Sequence, residues 1–141
     1  LQKKLNIPAF TSFKELEVAK KLLIMPDEDY SIMFDNIFQR SGIPYEQKQE
    51  MLGATRLYKN KVFNLPDFQI ISEGFEIESN EGSWKVRTDV GHSPEHISLT
   101  DKNRNLYLAG DFLLPRISPN VSDNFFDPFD DRAWRILNLF K

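Results

Sequence analysis

The chain has 141 residues, which is enough for one domain with a substantial hydrophobic core. Its net charge is −3 and its basic residues are interleaved with acidic ones, so no nucleic-acid partner is expected. The absence of cysteine excludes disulfides and thiolate metal ligands, and no apolar run approaches the roughly 20 residues of a membrane span. No membrane association is predicted, and we expect a cytoplasmic location.

The first 64 residues have the pattern of a short strand followed by helices. Residues 7–10 predict a buried strand, and Ser12 followed by Glu15 has the spacing of a capping box, in which each side chain bonds the other's backbone amide. Apolar residues at helical spacing then predict three helices, over about 13–24, 26–40 and 44–58. Gly42 is expected to end the second helix as a left-handed cap.

From residue 65 the hydrophobic period changes to that of strands. The alternation predicts two β-hairpins, with strands near residues 68–71, 75–78, 84–88, 97–99 and 106–108. Residues 130–141 predict an amphipathic helix. We therefore expect one domain, in which residues 1–64 form a strand with a helical segment and residues 65–141 carry the hairpins, the candidate metal-site residues and a terminal helix.

Both histidines of the chain lie in one short segment, Gly91–His96. Pro94 between them disfavours a helix, so we expect a loop leading into the next strand. Asp111 follows an apolar strand and a glycine, which suits a carboxylate that faces a cleft. Taken singly, loop histidines without a ligand role and an aspartate that caps a turn are the commoner cases. Together, the three side chains favour a site for one metal ion.

The segments Gly91-His92-Ser93-Pro94-Glu95-His96 and Leu108-Ala109-Gly110-Asp111 closely resemble the metallo-β-lactamase-fold hydrolase superfamily. Its members carry a Gly-His-Ser/Thr-Pro-Gly-His-like turn and then a strand ending in Gly-Asp. The resemblance is specific over residues 90–122 and extends more loosely back to Leu1. It implies an α/β fold that is part of an αββα sandwich, with mixed sheets and flanking helices.

The resemblance also implies roles for the candidate residues. His92 matches a histidine that binds the first metal, Asp111 matches the aspartate that bridges both metals, and His96 matches a supporting residue that is not a ligand. Glu95 stands where glycine is commoner, and we expect it to be tolerated at a loop surface. Arg116 could bind a substrate carboxylate or phosphate, although a surface or ion-pair role suits it equally.

Two parts of the family pattern are absent from the sequence. The His-x-His-x-Asp-His motif cannot be present, because the chain has two histidines in all. The family's last metal histidine is also missing. We therefore expect the chain to be a central fragment of a larger hydrolase, which is inactive alone and whose own metal binding is left open.

For the intact protein, the resemblance implies one or two divalent metal ions, most often zinc, with manganese and iron as alternatives. Metal-activated water would attack an ester, thioester, lactone or amide of a small-molecule substrate. The helical segment could form a lid over the site or pair with another subunit. An exposed sheet edge would favour a homodimer. The alternative is a non-enzymatic α/β interaction or dimerisation module with a degenerate metal site.

Overall fold

A computed structural model describes residues 2–40, 42–59, 61 and 64–117. In chain order the elements are α1 (Gln2–Leu5), β1 (Ala9–Thr11), α2 (Phe13–Ile24), α3 (Asp27–Arg40), α4 (Tyr45–Lys59), β2 (Phe68–Ile70), β3 (Glu76–Ser79), β4 (Gly82–Asp89), β5 (His96–Asp101), β6 (Leu106–Leu108) and a 3-10 turn (Gly110–Phe112). They belong to two compact units: the sheet unit, described up to Leu16 and from Asp67 onward, and the helical unit, residues 17–66. β1 therefore lies in the same unit as the hairpins, and the predicted domain division near residue 64 stays a prediction.

The sheet unit contains both parallel and antiparallel pairing. β1 pairs with β2 in parallel, and β3 to β6 form a four-stranded antiparallel sheet in sequence order. Both predicted hairpins are present. In β4 the side chains alternate as a half-buried strand requires, because Val86 is fully buried whereas its neighbours Lys85 and Arg87 are exposed. β6 lies at the edge of the described sheet, and the predicted homodimer stays a prediction.

The tips of the two hairpins are fastened to each other by charged side chains. Asp101, which is only 2% exposed, accepts hydrogen bonds from the backbone amide and the Nε of Arg104, at 3.0 and 2.7 Å. The Arg104 guanidinium also contacts Glu81 at 3.2 Å and lies 4.9 Å from the Trp84 ring centre. The hydrogen bonds from Arg104 lower the pKa of the Asp101 carboxyl below its usual 3.8, and the bond from the backbone amide has the larger effect.

The helical unit has a small aromatic core. Tyr30 and Phe38 are buried, and the Phe34 ring lies between them, with ring centres 4.8 and 5.8 Å away. Gly42 takes a φ of +69°, and its amide bonds the Gln39 carbonyl while the next amide bonds the Phe38 carbonyl. This is the double hydrogen bond of a Schellman cap. The glycine cap predicted for the second helix is therefore confirmed.

Some local predictions differ from the structure. The first strand is Ala9–Thr11 instead of residues 7–10, and all three of its residues are half-buried. Ile7 lies outside the strand and is exposed. No residue of α2 is fully buried. The helix predicted over residues 130–141 lies outside the described residues. Among the helices that are described, none has the length and apolar character to cross a membrane.

Candidate metal centre

The two histidines occupy different positions in one segment, the histidine turn (Gly91–His96). His92 is half-buried within the turn, whereas His96 is the first residue of β5 and pairs with Asp89 of β4. Gly91 begins the turn with a φ of +145°, a value that side chains rarely permit. The predicted loop is thus correct for His92, whereas His96 belongs to strand β5.

Asp111 lies on the 3-10 turn that follows β6. This turn is closed by a hydrogen bond from the Phe112 amide to the Ala109 carbonyl at 3.1 Å. The Asp111 side chain is 71% exposed, and its Oδ2 lies 3.6 Å from Nε2 of His92. The structure therefore brings together the histidine and the carboxylate that the sequence singled out, although they are nineteen positions apart.

The His92–Asp111 separation suits a shared cation. Two ligand atoms, each about 2.1 Å from a tetrahedral ion, lie about 3.4 Å apart. The observed 3.6 Å is close to this value, and imidazole nitrogen with carboxylate oxygen is a common donor set for zinc, manganese and iron. His92 and Asp111 therefore fit two coordination positions of a divalent ion.

Two ligands do not complete a centre. A catalytic zinc site usually has three protein ligands, and the part of the chain that the structure describes contains no group of three or more metal-binding side chains. His92 Nδ1 is buried and has no hydrogen-bond partner among the described residues. In a ligand histidine, the N–H of this second nitrogen normally donates a hydrogen bond to a carboxylate or carbonyl. Among the described residues, His92 and Asp111 thus offer two of the ligands that such a site requires.

His96 packs between the two segments that carry the candidate ligands. Its ring meets the His92 ring edge-on, with centres 5.7 Å apart, and stacks on Phe112 at 6.1 Å. A Cβ at Gly110, whose φ is +55°, would lie 2.8 Å from His96 Nε2, so only glycine leaves room for the imidazole. His96 is therefore placed as a packing residue of the site, and its expected supporting role stays a prediction.

The environment of His96 favours its neutral form. Burial lowers the pKa of the imidazole below its usual 6.5, and the adjacent His92 lowers it further. Nearby carboxylates, of Asp89, Glu15 and Asp111, oppose these effects. The net direction leaves His96 uncharged at neutral pH, so it adds no positive charge next to a cation site.

The sequence suggested that Glu95 lies at a loop surface, but its side chain is engaged by another segment. It is half-buried and bonds the start of α2: its Oε2 accepts the Lys14 amide at 3.0 Å, and its amide donates to Glu15 Oε1 at 3.0 Å. The Ser12 hydroxyl donates to the Glu95 carbonyl at 2.7 Å. The capping box predicted for Ser12 and Glu15 is therefore wrong, because both side chains bond Glu95 instead of each other's amides.

A second polar group lies beside His96 and was missed by the sequence reasoning. Ser98 is almost fully buried and donates to Asp89 at 2.6 Å, while the Tyr107 hydroxyl lies 3.0 Å from the Ser98 oxygen. These residues are on three neighbouring strands, and only the strand register brings them together. Arg116 follows the 3-10 turn with an exposed side chain. Its substrate-binding role stays a prediction.

A sequence model of the metallo-beta-lactamase superfamily matches residues 12–140. This chain belongs to the metallo-beta-lactamase superfamily. The helices and the parallel and antiparallel sheets agree with the α/β class and the part of an αββα sandwich that the motifs implied, and this prediction is confirmed.

A solved structure supports the same fold for this superfamily member. The crystal structure of a beta-lactamase domain protein from Burkholderia ambifaria is similar, with a TM-score of 0.60 and 22% sequence identity. The similarity covers 95% of this chain and 37% of that chain, so this chain spans little more than a third of the related one. At this identity the likeness shows the fold alone. A search of curated proteins found no significant match.

Proposed function

We propose that this chain belongs to a metal-dependent hydrolase in which His92 and Asp111 help to hold a divalent cation. The single observation that supports this most is the 3.6 Å approach of His92 Nε2 to Asp111 Oδ2 in the motif positions of a superfamily whose members are generally hydrolytic. Because the chain spans 37% of the related chain, the activity is proposed for the intact protein.

The chain's own residues would divide the work. His92 offers the lone pair of Nε2 to the cation, and Asp111 offers Oδ2 and a negative charge. The exposed carboxylate of Asp111 leaves Oδ1 available to accept a hydrogen bond from water and so to orient it. Neutral His96 packs against His92 and restricts the direction of its ring. At least one further ligand has to come from residues beyond these.

A divalent cation, zinc in the first place with manganese or iron as alternatives, would supply the Lewis acidity that makes water nucleophilic near neutral pH. The proposed substrates are small molecules with an ester, thioester, lactone or amide bond. Arg116 is proposed to attract a substrate carboxylate or phosphate, because it is an exposed guanidinium five residues after Asp111.

Substitution of each proposed ligand in the intact protein tests this function. His92→Ala and Asp111→Ala are each expected to lower turnover of the preferred substrate by orders of magnitude, with folding checked by circular dichroism. Glu78→Ala, which removes an exposed carboxylate of β3, is the control and should leave turnover unchanged. Turnover within a few-fold of the parent protein in either ligand variant would reject the assignment.

A further inference from the structure

Glu95 bonds one partner segment through its amide, its carbonyl and one carboxylate oxygen. Its carboxylate, amide and carbonyl bond Lys14, Glu15 and Ser12 respectively, which lie 81, 80 and 83 positions earlier in the chain. The Ser12 carbonyl accepts the first bond of α2, from the Leu16 amide. Ser12 is thus the residue that caps the helix, and Glu95 docks on its first turn.

The arrangement is a capping box built between two distant segments. In the local motif, the capping side chain accepts an amide of the first helical turn and a glutamate in that turn accepts the amide of the capping residue. Here the Glu95 carboxylate takes the first role and the Glu95 amide is the partner of Glu15. A carboxylate is favoured at this position, because the amide end of a helix carries partial positive charge.

This docking fixes the histidine turn at Glu95, three residues after His92. At one end, β5 pairing holds His96 opposite Asp89. Within the turn, the Gly91 amide bonds the Ser93 carbonyl. In the described part of the chain, the hydrogen bonds that join residues 92–95 to another segment are those between Glu95 and the start of α2. The backbone position of the turn therefore depends on Glu95, whereas the His92 ring itself contacts the His96 ring.

We propose that Glu95 is a positioning residue of the metal centre. It holds the histidine turn on the first turn of α2 and thereby keeps His92 Nε2 opposite Asp111, without contacting the cation. The inference rests on the proposed function, since it concerns the same pair of ligands. It assigns a role to the one position of the turn at which this chain departs from the glycine of the family pattern.

The two histidines allow a direct test by NMR, because each imidazole gives its own signals in a chain that has only two. Zinc chloride is titrated into the full chain and its variants at neutral pH, and the zinc Kd is taken from the His92 signals. Glu95→Ala should raise this Kd about tenfold, the lower end of the effect of removing groups that orient a metal ligand. Glu95→Gln keeps an acceptor oxygen for the Lys14 amide, so its zinc Kd should lie between those of the parent chain and Glu95→Ala.

Asp101→Asn is the matched control. It weakens a carboxylate–arginine contact that fastens the hairpin tips and leaves the histidine turn untouched. If the role of Glu95 is purely structural, Glu95→Ala and Asp101→Asn both change stability, as measured by urea unfolding, and both keep the zinc Kd of the parent chain. Positioning predicts that the Kd rises in Glu95→Ala and not in the control. Equal Kd values in both variants, with unmoved His92 signals, would overturn the proposal.

Zinc-free spectra separate this inference from the proposed function. If the parent chain binds no zinc through His92, zinc binding by this chain alone is rejected, the proposed function is decided by turnover of the intact His92→Ala and Asp111→Ala variants, and the positioning role is decided by the imidazole signals without metal. Glu95→Ala should move the His92 signals more than those of strand-held His96; if neither moves, positioning is rejected. If Glu95→Ala does not fold, Glu15→Ala removes the acceptor of the Glu95 amide and should shift the His92 signals, and unmoved His92 signals reject positioning.

Discussion

The histidine turn and the second hairpin turn (Asp101–Asn105) belong to the same sheet and are fixed in different ways. The hairpin turn is held mainly from within, because Asp101 bonds Arg104 three positions later, and Arg104 also contacts Glu81 of the preceding hairpin. The histidine turn is held by residues at the start of α2, 80 or more positions earlier. The turn that carries a candidate ligand thus depends on contacts with residues at least 80 positions away, whereas the contacts of the hairpin turn span 3 to 23 positions.

Among the substitutions that disturb the histidine turn, Gly110→Ala in the adjoining 3-10 turn is expected to have the largest effect on stability. The new Cβ would lie 2.8 Å from His96 Nε2, on a backbone with φ of +55°, and the ring is confined by His92 and Phe112. We expect a loss of about 2–3 kcal/mol in the free energy of unfolding, measured with urea, together with shifted histidine signals.

The control for this variant is Gly53→Ala in α4, where an added Cβ has open space. Alanine is the better helix former there and should stabilise the protein by about 1 kcal/mol. An unchanged unfolding midpoint for Gly110→Ala would contradict the close packing of His96 against Gly110.

A smaller effect should come from Ser12→Ala. The Ser12 side chain is fully buried and its hydroxyl bonds the Glu95 carbonyl, so its removal leaves that carbonyl without this donor. We expect a loss of about 1–2 kcal/mol and a movement of the His92 signals. Ser79→Ala removes an exposed hydroxyl that bonds within its own hairpin, and it should leave the histidine signals in place. If Ser12→Ala and Ser79→Ala move the His92 signals equally, the histidine turn does not depend on its contact with Ser12.

The hairpin turn can be probed through pH. The pKa of Asp101 is lowered in the folded protein, so its stabilising contribution is present above the unfolded value near 3.8 and is lost as pH falls through the folded value. Asp101→Asn should therefore destabilise the protein at pH 7, and the difference from the parent should narrow below about pH 4. Urea unfolding at pH 7, 5 and 3 measures it. A gap that widens on acidification contradicts the Arg104 contact.

Most secondary structure was predictable because its signals are local. Apolar spacing and the glycine after α3 located the helices, and alternation between turn residues located both hairpins. The local signal at Ser12 and Glu15 was misleading, since a capping box and a docking site for Glu95 use the same side chains. Only tertiary packing distinguishes them, and no pattern in the sequence records a partner 80 residues away.

The candidate site was predictable to a similar extent. His92 and Asp111 were found through their motif, and the structure places their side chains 3.6 Å apart. Spacing alone could not have shown this, because the separation depends on the register of β5 with β6 and on the 3-10 turn. The group of Asp89, Ser98 and Tyr107 also follows from register, and no single strand contains its signal.

The central claim is that His92 and Asp111 hold one divalent cation. Zinc titration of the full chain, followed on the two imidazoles, tests it most directly. The account predicts that zinc shifts the His92 signals in the manner of binding through Nε2, shifts those of His96 less, and binds far more weakly to Asp111→Ala. If the His92 signals do not respond to zinc, or if Asp111→Ala binds as tightly as the parent chain, the account is contradicted.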